Sequence, residues 1–203
     1  MSPRVSDGGA GRVIAGTARG LRLAAPGDVT RPLSDRVKEA LFAILEPELR
    51  DRRVLDLFAG SGAAGIEALS RGAGAATFVE RDRQAIAIIR ANLVRARLAG
   101  TPARIVESEV LRWLASEVST QDGPWDVVII DPPYDKPELL ASVLEILGGQ
   151  PRLVAATGIV VAKHFWRFQP PDRIGLLASD RARRFGDTAL TFYRVVQPVE
   201  APS

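Results

Sequence analysis

The sequence predicts an α/β fold built on a Rossmann-like, mostly parallel β-sheet. From Val54 onward, short apolar runs typical of buried strands alternate with longer runs whose apolar residues recur at helical spacing. A glycine-rich turn follows the first of these strands and opens a helix, as in nucleotide-binding folds. The last two strand-like runs have no helix between them, which indicates a hairpin containing an antiparallel strand. We therefore expect seven strands, one of them antiparallel, after a small N-terminal β-hairpin and helix.

The first fifty residues predict a tail and an extension rather than part of the sheet. Residues 1–11 are rich in Ser, Gly and Asp, so we expect them to be disordered. Two strand-like pieces, 12–14 and 21–23, are separated by a glycine-bearing turn and predict a hairpin. Ser34 is a suitable N-cap for the helix that follows. Together these pieces are expected to form an extension over residues 12–50.

The rest of the chain predicts one domain over residues 51–197 and a short tail at 198–203. Strands are expected at 54–58, 76–80, 103–106, 125–130, 158–162, 174–178 and 189–196. Helices are expected from the glycine turn to about 71 and at 82–98, 110–118 and 137–147. This order of elements is typical of a doubly wound sheet.

Composition excludes several kinds of site. The 203 residues include no cysteine and one histidine. Disulfides and thiolate metal sites are therefore excluded, and a catalytic metal is not expected. No apolar run has the length of a secretory or membrane-spanning segment. A cytoplasmic location is the expectation.

The formal net charge of +3 is unevenly distributed. Basic residues are frequent between Arg4 and Lys38, and a second cluster, Arg181, Arg183 and Arg184, lies near the C-terminus. Clustered cations attract phosphate backbones. Arginine richness also accompanies GC-rich genomes, so the charge pattern alone does not establish nucleic-acid binding.

A glycine motif in the first strand-to-helix turn predicts a cofactor site. The segment Gly60-Ser61-Gly62-Ala63-Ala64-Gly65 matches the G-x-G-x-x-G pattern. Glu80 ends the second strand, where a carboxylate can accept hydrogen bonds from two ribose hydroxyls. These features predict a cofactor that carries adenosine, with NAD and S-adenosylmethionine (SAM) as the alternatives.

The position of Asp56 favours SAM over NAD. This residue ends the first strand beside the glycine turn, where its carboxylate would repel the pyrophosphate of a dinucleotide. SAM instead carries an ammonium and a sulfonium, which a carboxylate attracts. Glu109, after the third strand, is placed to accept a hydrogen bond from the adenine amino group. The alternative roles are loop ordering for Asp56 and a solvated or helix-capping acid for Glu109. The residues expected to contact the cofactor are Asp56, Phe58, Ala59, Gly60, Ser61, Gly62, Glu80, Arg81, Glu109, Val110 and Asp131.

A second motif, Asp131-Pro132-Pro133-Tyr134, follows the fourth strand and predicts a site for a flat, amine-bearing base. The prolines stiffen the loop and remove competing N–H donors. The carboxylate and a proline carbonyl can accept the two hydrogens of an exocyclic amine, and Tyr134 offers a stacking face. The alternative is a strand that ends in a stiff turn. Both motifs are expected at the C-terminal edge of one parallel sheet.

With these motifs the chain resembles the bacterial small-subunit ribosomal RNA guanine-N2 methyltransferases, which modify guanine 966 of 16S rRNA. The resemblance covers about residues 12–196. It rests on the segments Arg12–Gly16, Arg31–Phe42, Asp56–Gly62, Gly65–Ala73, Asp131–Tyr134 and Phe185–Leu190. The blocks Arg31–Phe42 and Glu67–Ala73 separate this family from other SAM enzymes.

The resemblance implies a class I SAM-dependent methyltransferase fold and transfer of the SAM methyl group to the exocyclic N2 of a guanine. The implied catalytic residues are Asp131, Pro132, Pro133 and Tyr134. Asp131 and the Pro132 carbonyl would hold the amine while Tyr134 stacks on the base. His164 is not expected to act as a base.

The resemblance also implies 16S rRNA in the small ribosomal subunit as the partner, and the small size of the chain suggests a monomer. The segment 12–38 is expected to be both a lid and an RNA contact. The residues expected to contact RNA are Arg12, Arg19, Arg22, Arg31, Arg36, Lys38, Lys163 and Arg167. Three positions depart from the family, which usually has Thr at Leu33, Arg at Lys38 and Glu at Lys163, so the role of Lys163 is open.

Three other functions are alternatives. An adenine-N6 methyltransferase acting on DNA or RNA would use the same proline motif, but DNA enzymes of that type usually carry a separate recognition domain. A non-catalytic RNA-binding assembly protein could keep the fold, although the intact Asp56, Glu80 and Asp131 disfavour it. An NAD oxidoreductase is disfavoured by Asp56 and by the lack of an evident hydride-transfer acid.

Overall fold

The structure, a computed structural model, describes residues 11–25 and 33–196. The strands are β1 Arg53–Leu57, β2 Ala75–Glu80, β3 Ala103–Glu107, β4 Trp125–Ile130, β5 Val154–Phe165, β6 Arg173–Ile174, β7 Leu177–Phe185 and β8 Thr188–Val195. The helices are α1 Asp35–Leu45, α2 Ala63–Ser70, α3 Arg83–Arg95, α4 Val110–Leu114, α5 Glu117–Asp122 and α6 Pro137–Gly149, with a 3-10 turn at Glu46–Glu48. The chain forms two compact units, unit 1 (Met1–Val110) and unit 2 (Leu111–Ser203). Within the described ranges, no helix is both long and apolar enough to cross a membrane.

Unit 1 contains three parallel strands in the order β3-β2-β1. Strand β1 is buried from Val54 to its end, as the continuous apolar run predicts for a strand covered on both faces. Asp82 caps helix α3 by accepting hydrogen bonds from the backbone N–H groups of Gln84 and Ala85. Ser34 caps α1 through the N–H of Val37, which confirms the predicted start of that helix.

Residues 11–25 of unit 1 lie against helix α2. The predicted hairpin is reduced to one antiparallel bridge between Arg12 and Arg22. Gly16 has a φ of +81°, and a Cβ atom there would lie 1.7 Å from the carbonyl oxygen of Ser70. The N–H of Thr17 donates to the same oxygen at 2.8 Å. This close approach needs glycine for both conformation and space.

Unit 2 contains the strands β4-β5-β8-β7-β6 in that order. Strands β4 and β5 are parallel, whereas β8 pairs antiparallel with both β5 and β7. This pairing confirms the predicted fold class, a mostly parallel α/β sheet with an antiparallel hairpin at its end. The apolar face of α6 buries Leu140, Val143, Leu144 and Leu147, as its helical periodicity predicts.

Three predicted elements of unit 2 differ from the structure. The helix expected at 110–118 is two short helices, α4 and α5. Strand β5 is longer than the expected 158–162 and reaches Phe165, so Lys163 and His164 belong to the strand. Strand β7 extends to Phe185 and is preceded by the two-residue strand β6. The described residues therefore form eight strands rather than the expected seven. The tails expected at 1–11 and 198–203 lie outside the described residues, except for Gly11.

Candidate functional site

The loop from β1 to α2 in unit 1 has a conformation that few sequences adopt. Three of its residues have positive φ angles: Phe58 at +61°, Gly60 at +55° and Gly62 at +77°. A positive φ is common for glycine but costly for an aromatic residue, by about 1–3 kcal/mol. Such strain in Phe58 persists only where the surrounding structure fixes it, and it marks this loop as a candidate binding site.

The three glycines of the motif differ in what surrounds them, and therefore in why a side chain is disfavoured or tolerated at each. A Cβ atom on Gly65 would lie 2.3 Å from Cε1 of Phe78, so this glycine allows α2 to pack closely on β2. A Cβ atom on Gly62 would lie 3.2 Å from the side chain of Ile89. At Gly60 the nearest such atom is 4.0 Å away. The backbone at Gly60 is therefore open on that side, which allows a ligand to approach it.

Two carboxylates hold the glycine loop in place. Glu80 accepts hydrogen bonds from the N–H of Gly60 at 2.8 Å, of Arg81 at 2.8 Å and of Asp82 at 2.9 Å. Asp56 is only 2% exposed, and its Oδ2 accepts from the N–H of Gly65 at 2.9 Å. Asp56 thus orders the start of α2, the alternative role that the sequence left open. A direct role toward a cofactor stays a prediction for both acids.

Glu109 follows β3 and is already paired with a cation. Its Oε1 lies 2.7 Å from Nη1 of Arg81, and both side chains are more than half exposed. The hydrogen bond and charge of Glu109 raise the pKa of Arg81. An exposed pair of this kind stabilises a protein by about 1 kcal/mol or less, so an adenine amino group could compete for the carboxylate at small cost. Val110, the other residue expected here, is buried at the start of α4.

Asn92 was not among the predicted site residues, yet its buried side chain joins the glycine loop to the N-terminal segment. Its Oδ1 accepts from the N–H of Ala24 at 2.9 Å, and its Nδ2 donates to the carbonyls of Ala24 and Ser61, each at 3.0 Å. The available signal was a lone amide among the apolar residues that α3 buries. A buried amide at such a position must have partners.

A second buried cluster fixes the same segment to α2 through Glu67. The carboxylate accepts from the N–H groups of Ile14 at 2.7 Å and Ala15 at 3.0 Å. Arg71 pairs with it at 2.8 Å and the ammonium of Lys38 lies 3.9 Å away. Residues 11–25 are therefore anchored by charged, buried hydrogen bonds, and the role of this segment as a lid stays a prediction.

Lys38, one of the residues expected to contact RNA, has a structural role in unit 1, and its RNA contact stays a prediction. Its side chain is completely buried, and Nζ donates to the carbonyl oxygen of Arg12 at 2.5 Å. Burial lowers the pKa of Lys38, and the Glu67 carboxylate opposes that shift. The apolar periodicity of α1 did not reveal the structural role of Lys38, because the partners of this lysine, Arg12 and Glu67, lie far away in the sequence.

In unit 2 the candidate base-binding motif begins directly after β4. Oδ1 of Asp131 accepts a hydrogen bond from Nζ of Lys163 at 2.5 Å, and both side chains are largely buried. The same ammonium lies 4.9 Å from the centre of the Tyr134 ring. The Tyr134 hydroxyl is 2.7 Å from Oγ1 of Thr188. The ammonium of Lys163 is thus directed at Asp131 and Tyr134, and its predicted RNA contact stays a prediction.

The Asp131–Lys163 pair is electrostatically coupled. Burial raises the pKa of the Asp131 carboxyl, and the Lys163 ammonium limits that rise. Burial alone would lower the pKa of Lys163, but the adjacent carboxylate holds it above its ordinary value. Lys163 therefore remains charged and favours an ionised Asp131.

The motif lines a cleft within unit 2, formed by Pro132, Pro133, Tyr134, Pro137, Leu140, Lys163, His164, Phe165 and Phe168. His164 is held inside it by Oγ1 of Thr191, 2.9 Å from Nε2, and by the carbonyl of Phe165, 3.0 Å from Nδ1. Burial lowers its pKa. With both ring nitrogens engaged, His164 has no evident role as a base.

Among the described residues, the others that are expected to contact RNA are exposed arginines. Arg12, Arg19, Arg22 and Arg36 belong to unit 1, and Arg167 belongs to unit 2. Arg12 pairs with Asp35 at 3.1 Å. Arg31 lies outside the described residues. Exposure is compatible with the predicted contacts, which stay predictions.

Comparison with known sequences identifies one family over nearly the whole chain. Residues 11–194 match the family described as conserved hypothetical protein 95. The Bacillus subtilis protein YlbH, provisionally named an rRNA methyltransferase, is 36% identical over 90% of this chain and 98% of its own length. Ribosomal RNA small subunit methyltransferase D of Escherichia coli strain K12 is 40% identical over 71% of this chain and 70% of its own length.

Comparison with solved structures agrees with the sequence matches. An Escherichia coli protein, provisionally named methyltransferase yhhF, superimposes with a TM-score of 0.79 at 33% identity and covers 91% of this chain and 97% of its own. A more distant methyltransferase, solved with S-adenosylhomocysteine, has a TM-score of 0.59 at 16% identity over 76% of this chain and 49% of its own. These likenesses show that the chain has the fold of SAM-dependent methyltransferases, as the sequence predicted.

Proposed function

Because the chain belongs to the family described as conserved hypothetical protein 95, we propose that it methylates the exocyclic N2 of a guanine in 16S rRNA, at a site of the guanine-966 type. The observation that carries this proposal is the Asp131 carboxylate, largely buried at the end of β4 and followed by two prolines. A buried carboxylate in a rigid loop is suited to hold an amine in one orientation. The names of the relatives, which include a small-subunit rRNA methyltransferase, support the choice of RNA.

The residues of the glycine loop fit SAM as the cofactor. The open backbone at Gly60, where the nearest atom to a Cβ position is 4.0 Å away, leaves room for the ligand. Asp56 and Glu80 bring negative charge to this loop, which suits the ammonium and sulfonium of SAM and disfavours a pyrophosphate. When bound, SAM supplies the electrophilic methyl group.

In unit 2, Asp131 and the Pro132 carbonyl would accept the two amine hydrogens, so that the nitrogen lone pair turns toward the methyl group. Lys163 already donates to Oδ1 of Asp131, which leaves Oδ2 as the oxygen for the substrate amine. Tyr134, fixed through Thr188, would present its ring to the base. With the methyl group supplied by bound SAM, the amine nitrogen would be methylated and its proton would pass to Asp131 or to solvent.

Most of the rate enhancement would come from orientation. The guanine N2 lone pair is delocalised into the ring, so the amine is a weak nucleophile that must be held in line. Well-oriented reactants gain about 7–11 kcal/mol at best. The base must leave its stack to enter the site, which costs a few kcal/mol and less in a loop than in a duplex. The proposed setting is the cytoplasm, with a monomer acting on assembled small subunits.

The test is transfer of tritium from labelled SAM to small ribosomal subunits that lack the modification, followed by nucleoside analysis. Label in N2-methylguanosine at one site is the expected result. Label in N6-methyladenosine would instead support the alternative function, an adenine-N6 methyltransferase. No transfer, with SAM binding shown by calorimetry and RNA binding retained, would instead indicate a non-catalytic RNA-binding protein. An Asp131→Ala variant should lose transfer while it keeps RNA binding.

A further inference from the structure

Strand β7 presents an open, basic edge. It pairs with β8 along its whole length but with β6 only through Leu177 and Ala178. On the edge that faces away from β8, no strand in residues 11–25 and 33–196 pairs with β7 beyond these two positions. All five residues from Asp180 to Arg184 are exposed. Three of them are arginines, Arg181, Arg183 and Arg184, against the single acid Asp180.

Two of these arginines share a sheet face with Lys163. Leu190 of β8 lies opposite both Lys163 and Arg183, and Phe192 lies opposite both Val161 and Arg181. Opposite residues in register point to the same face, and alternate residues of one strand do so as well. With strands about 4.8 Å apart, the backbone of Arg183 is about 10 Å from that of Lys163. The basic edge therefore begins two strands away from the Asp131–Lys163 pair.

An aromatic ring organises the cations at the end of this edge. The Arg184 guanidinium stacks on the half-buried Trp166 ring at 3.5 Å from its centre, and the Arg167 guanidinium lies 5.2 Å away. Nε of Arg184 also donates to the carbonyl of Gly186 at 2.9 Å. A guanidinium fixed by stacking keeps its outer N–H groups for bidentate contacts to phosphate. The orientation of this group is thus set before any partner binds.

Edge protection is the other physical reason for such a strand. Charged residues on an open edge prevent pairing with a second chain. Protection requires only charge, so acids would serve as well, and it does not require an aromatic ring beneath a guanidinium. The excess of positive charge favours an anionic partner, and the Trp166 stack favours a partner with planar groups. RNA has both properties.

We propose that the β7 edge, formed by Trp166, Arg167, Arg181, Arg183 and Arg184, docks the RNA backbone beside the target base. This inference rests on the proposed function and adds a contact surface that the N-terminal arginines do not supply. Arg181 and Arg183 would bind phosphates on the sheet face of Asp131. Trp166 and Arg184 would hold a flanking nucleotide at the end of the strand.

The test is the double variant Arg181→Gln/Arg183→Gln, assayed on small subunits that lack the modification. We expect KM for the subunits to rise about tenfold at 100 mM KCl, with kcat within about twofold and with the SAM dissociation constant unchanged. The log–log dependence of KM on salt should become shallower by about 1.4, since each single-strand phosphate contact contributes about 0.7. The variant Arg181→Lys/Arg183→Lys keeps the charge and should restore most of the loss.

A matched control removes two exposed arginines of unit 1, Arg50→Gln/Arg90→Gln, and should leave KM and its salt dependence unchanged. If the wild-type protein methylates subunits and the β7 variant has wild-type KM and salt slope, the inference is wrong and the proposed function stands. A β7 variant that only aggregates more, as seen by light scattering, would also overturn it, because the edge would then serve protection. If the wild-type protein methylates no subunit, the proposed function fails first and the docking role falls with it.

Discussion

Lys163 donates a hydrogen bond to Asp131 from a position 32 residues later in the chain, and the same ammonium lies over the Tyr134 ring. One cation thus contacts two of the residues expected to hold the base. The family is expected to carry an acid at this position. In this chain the position supplies a positive charge that favours the ionised form of a buried carboxyl group.

Replacing Lys163 by Met should therefore move the pH dependence of methyl transfer. The ammonium favours the ionised form of Asp131, so its loss raises the pKa of that carboxyl further above its ordinary value. An opposite charge beside a carboxyl favours its ionised form and lowers its pKa. Activity should consequently be lost at a higher pH than in the wild-type protein as the solution is acidified, in a profile of kcat against pH. Lys136→Met, an exposed lysine near the same loop, is the control, and superimposable profiles for the two variants would contradict the assigned role.

Removing the Glu67 carboxylate should strongly destabilise unit 1. The variant Glu67→Ala leaves Lys38 and Arg71 without their shared partner, and two backbone N–H groups lose their acceptor. Breaking a buried pair on one side costs about 3–5 kcal/mol. The free energy of unfolding, measured by urea denaturation, should fall by about that amount. Glu39→Ala on the exposed side of α1 should change it by about 0.5 kcal/mol or less, and equal effects at the two sites would argue against a structural role for Glu67.

Replacing Asn92 by Leu should release the N-terminal segment. The variant keeps the approximate volume but leaves the N–H and carbonyl of Ala24 without their side-chain partners, and each such buried group costs about 1–3 kcal/mol. Trypsin should then cleave after Arg22 faster than in the wild-type protein, because the segment detaches more often. Gln84→Leu, on the exposed side of α3, is the control. Unchanged cleavage kinetics would show that Glu67 alone secures this segment.

Two glycine substitutions should separate stability from cofactor binding. Gly65→Ala places a methyl group into the Phe78 ring, so it should lower the free energy of unfolding by about 1–3 kcal/mol. Gly60→Ala has space for its methyl group but a φ of +55°, so it should cost only about 1 kcal/mol. Because that methyl group faces the open side, it should weaken SAM binding in calorimetry. A Gly60→Ala variant with wild-type SAM affinity would place the cofactor elsewhere.

Local sequence patterns predicted most of the elements, for reasons visible in the structure. The parallel strands are buried on both faces, so they appear as continuous apolar runs such as Val127–Ile130. The start of α1 was predicted because Ser34 makes its capping bond within three residues. The predicted strand at 174–178 ended too early, because the arginine-rich half of β7 is exposed and therefore lacks the alternation by which strands are recognised.

Long-range partners could not be predicted from one sequence. Lys38 and Lys163 looked like RNA-binding cations because nothing local marks a buried lysine. Their burial depends on Glu67 and Asp131, which lie about thirty positions away and meet them only in the folded chain. Asn92 was overlooked for the same reason, since its partners are main-chain groups of distant segments.

The anchoring of residues 11–25 also has a consequence for how the chain is made. The N–H of Ile14 bonds to Glu67, which is 53 positions later in the chain, and the N–H of Ala24 bonds to Asn92, which is 68 positions later. At about 5–20 residues per second, synthesis of those 68 residues takes roughly 3–14 s. Residues 11–25 are therefore anchored only after α2 and α3, which follow them in the chain, have been made. During that interval Arg12, Arg19 and Arg22 belong to a segment that lacks these anchors, while the chain is still on a ribosome, whose RNA the finished protein is proposed to modify.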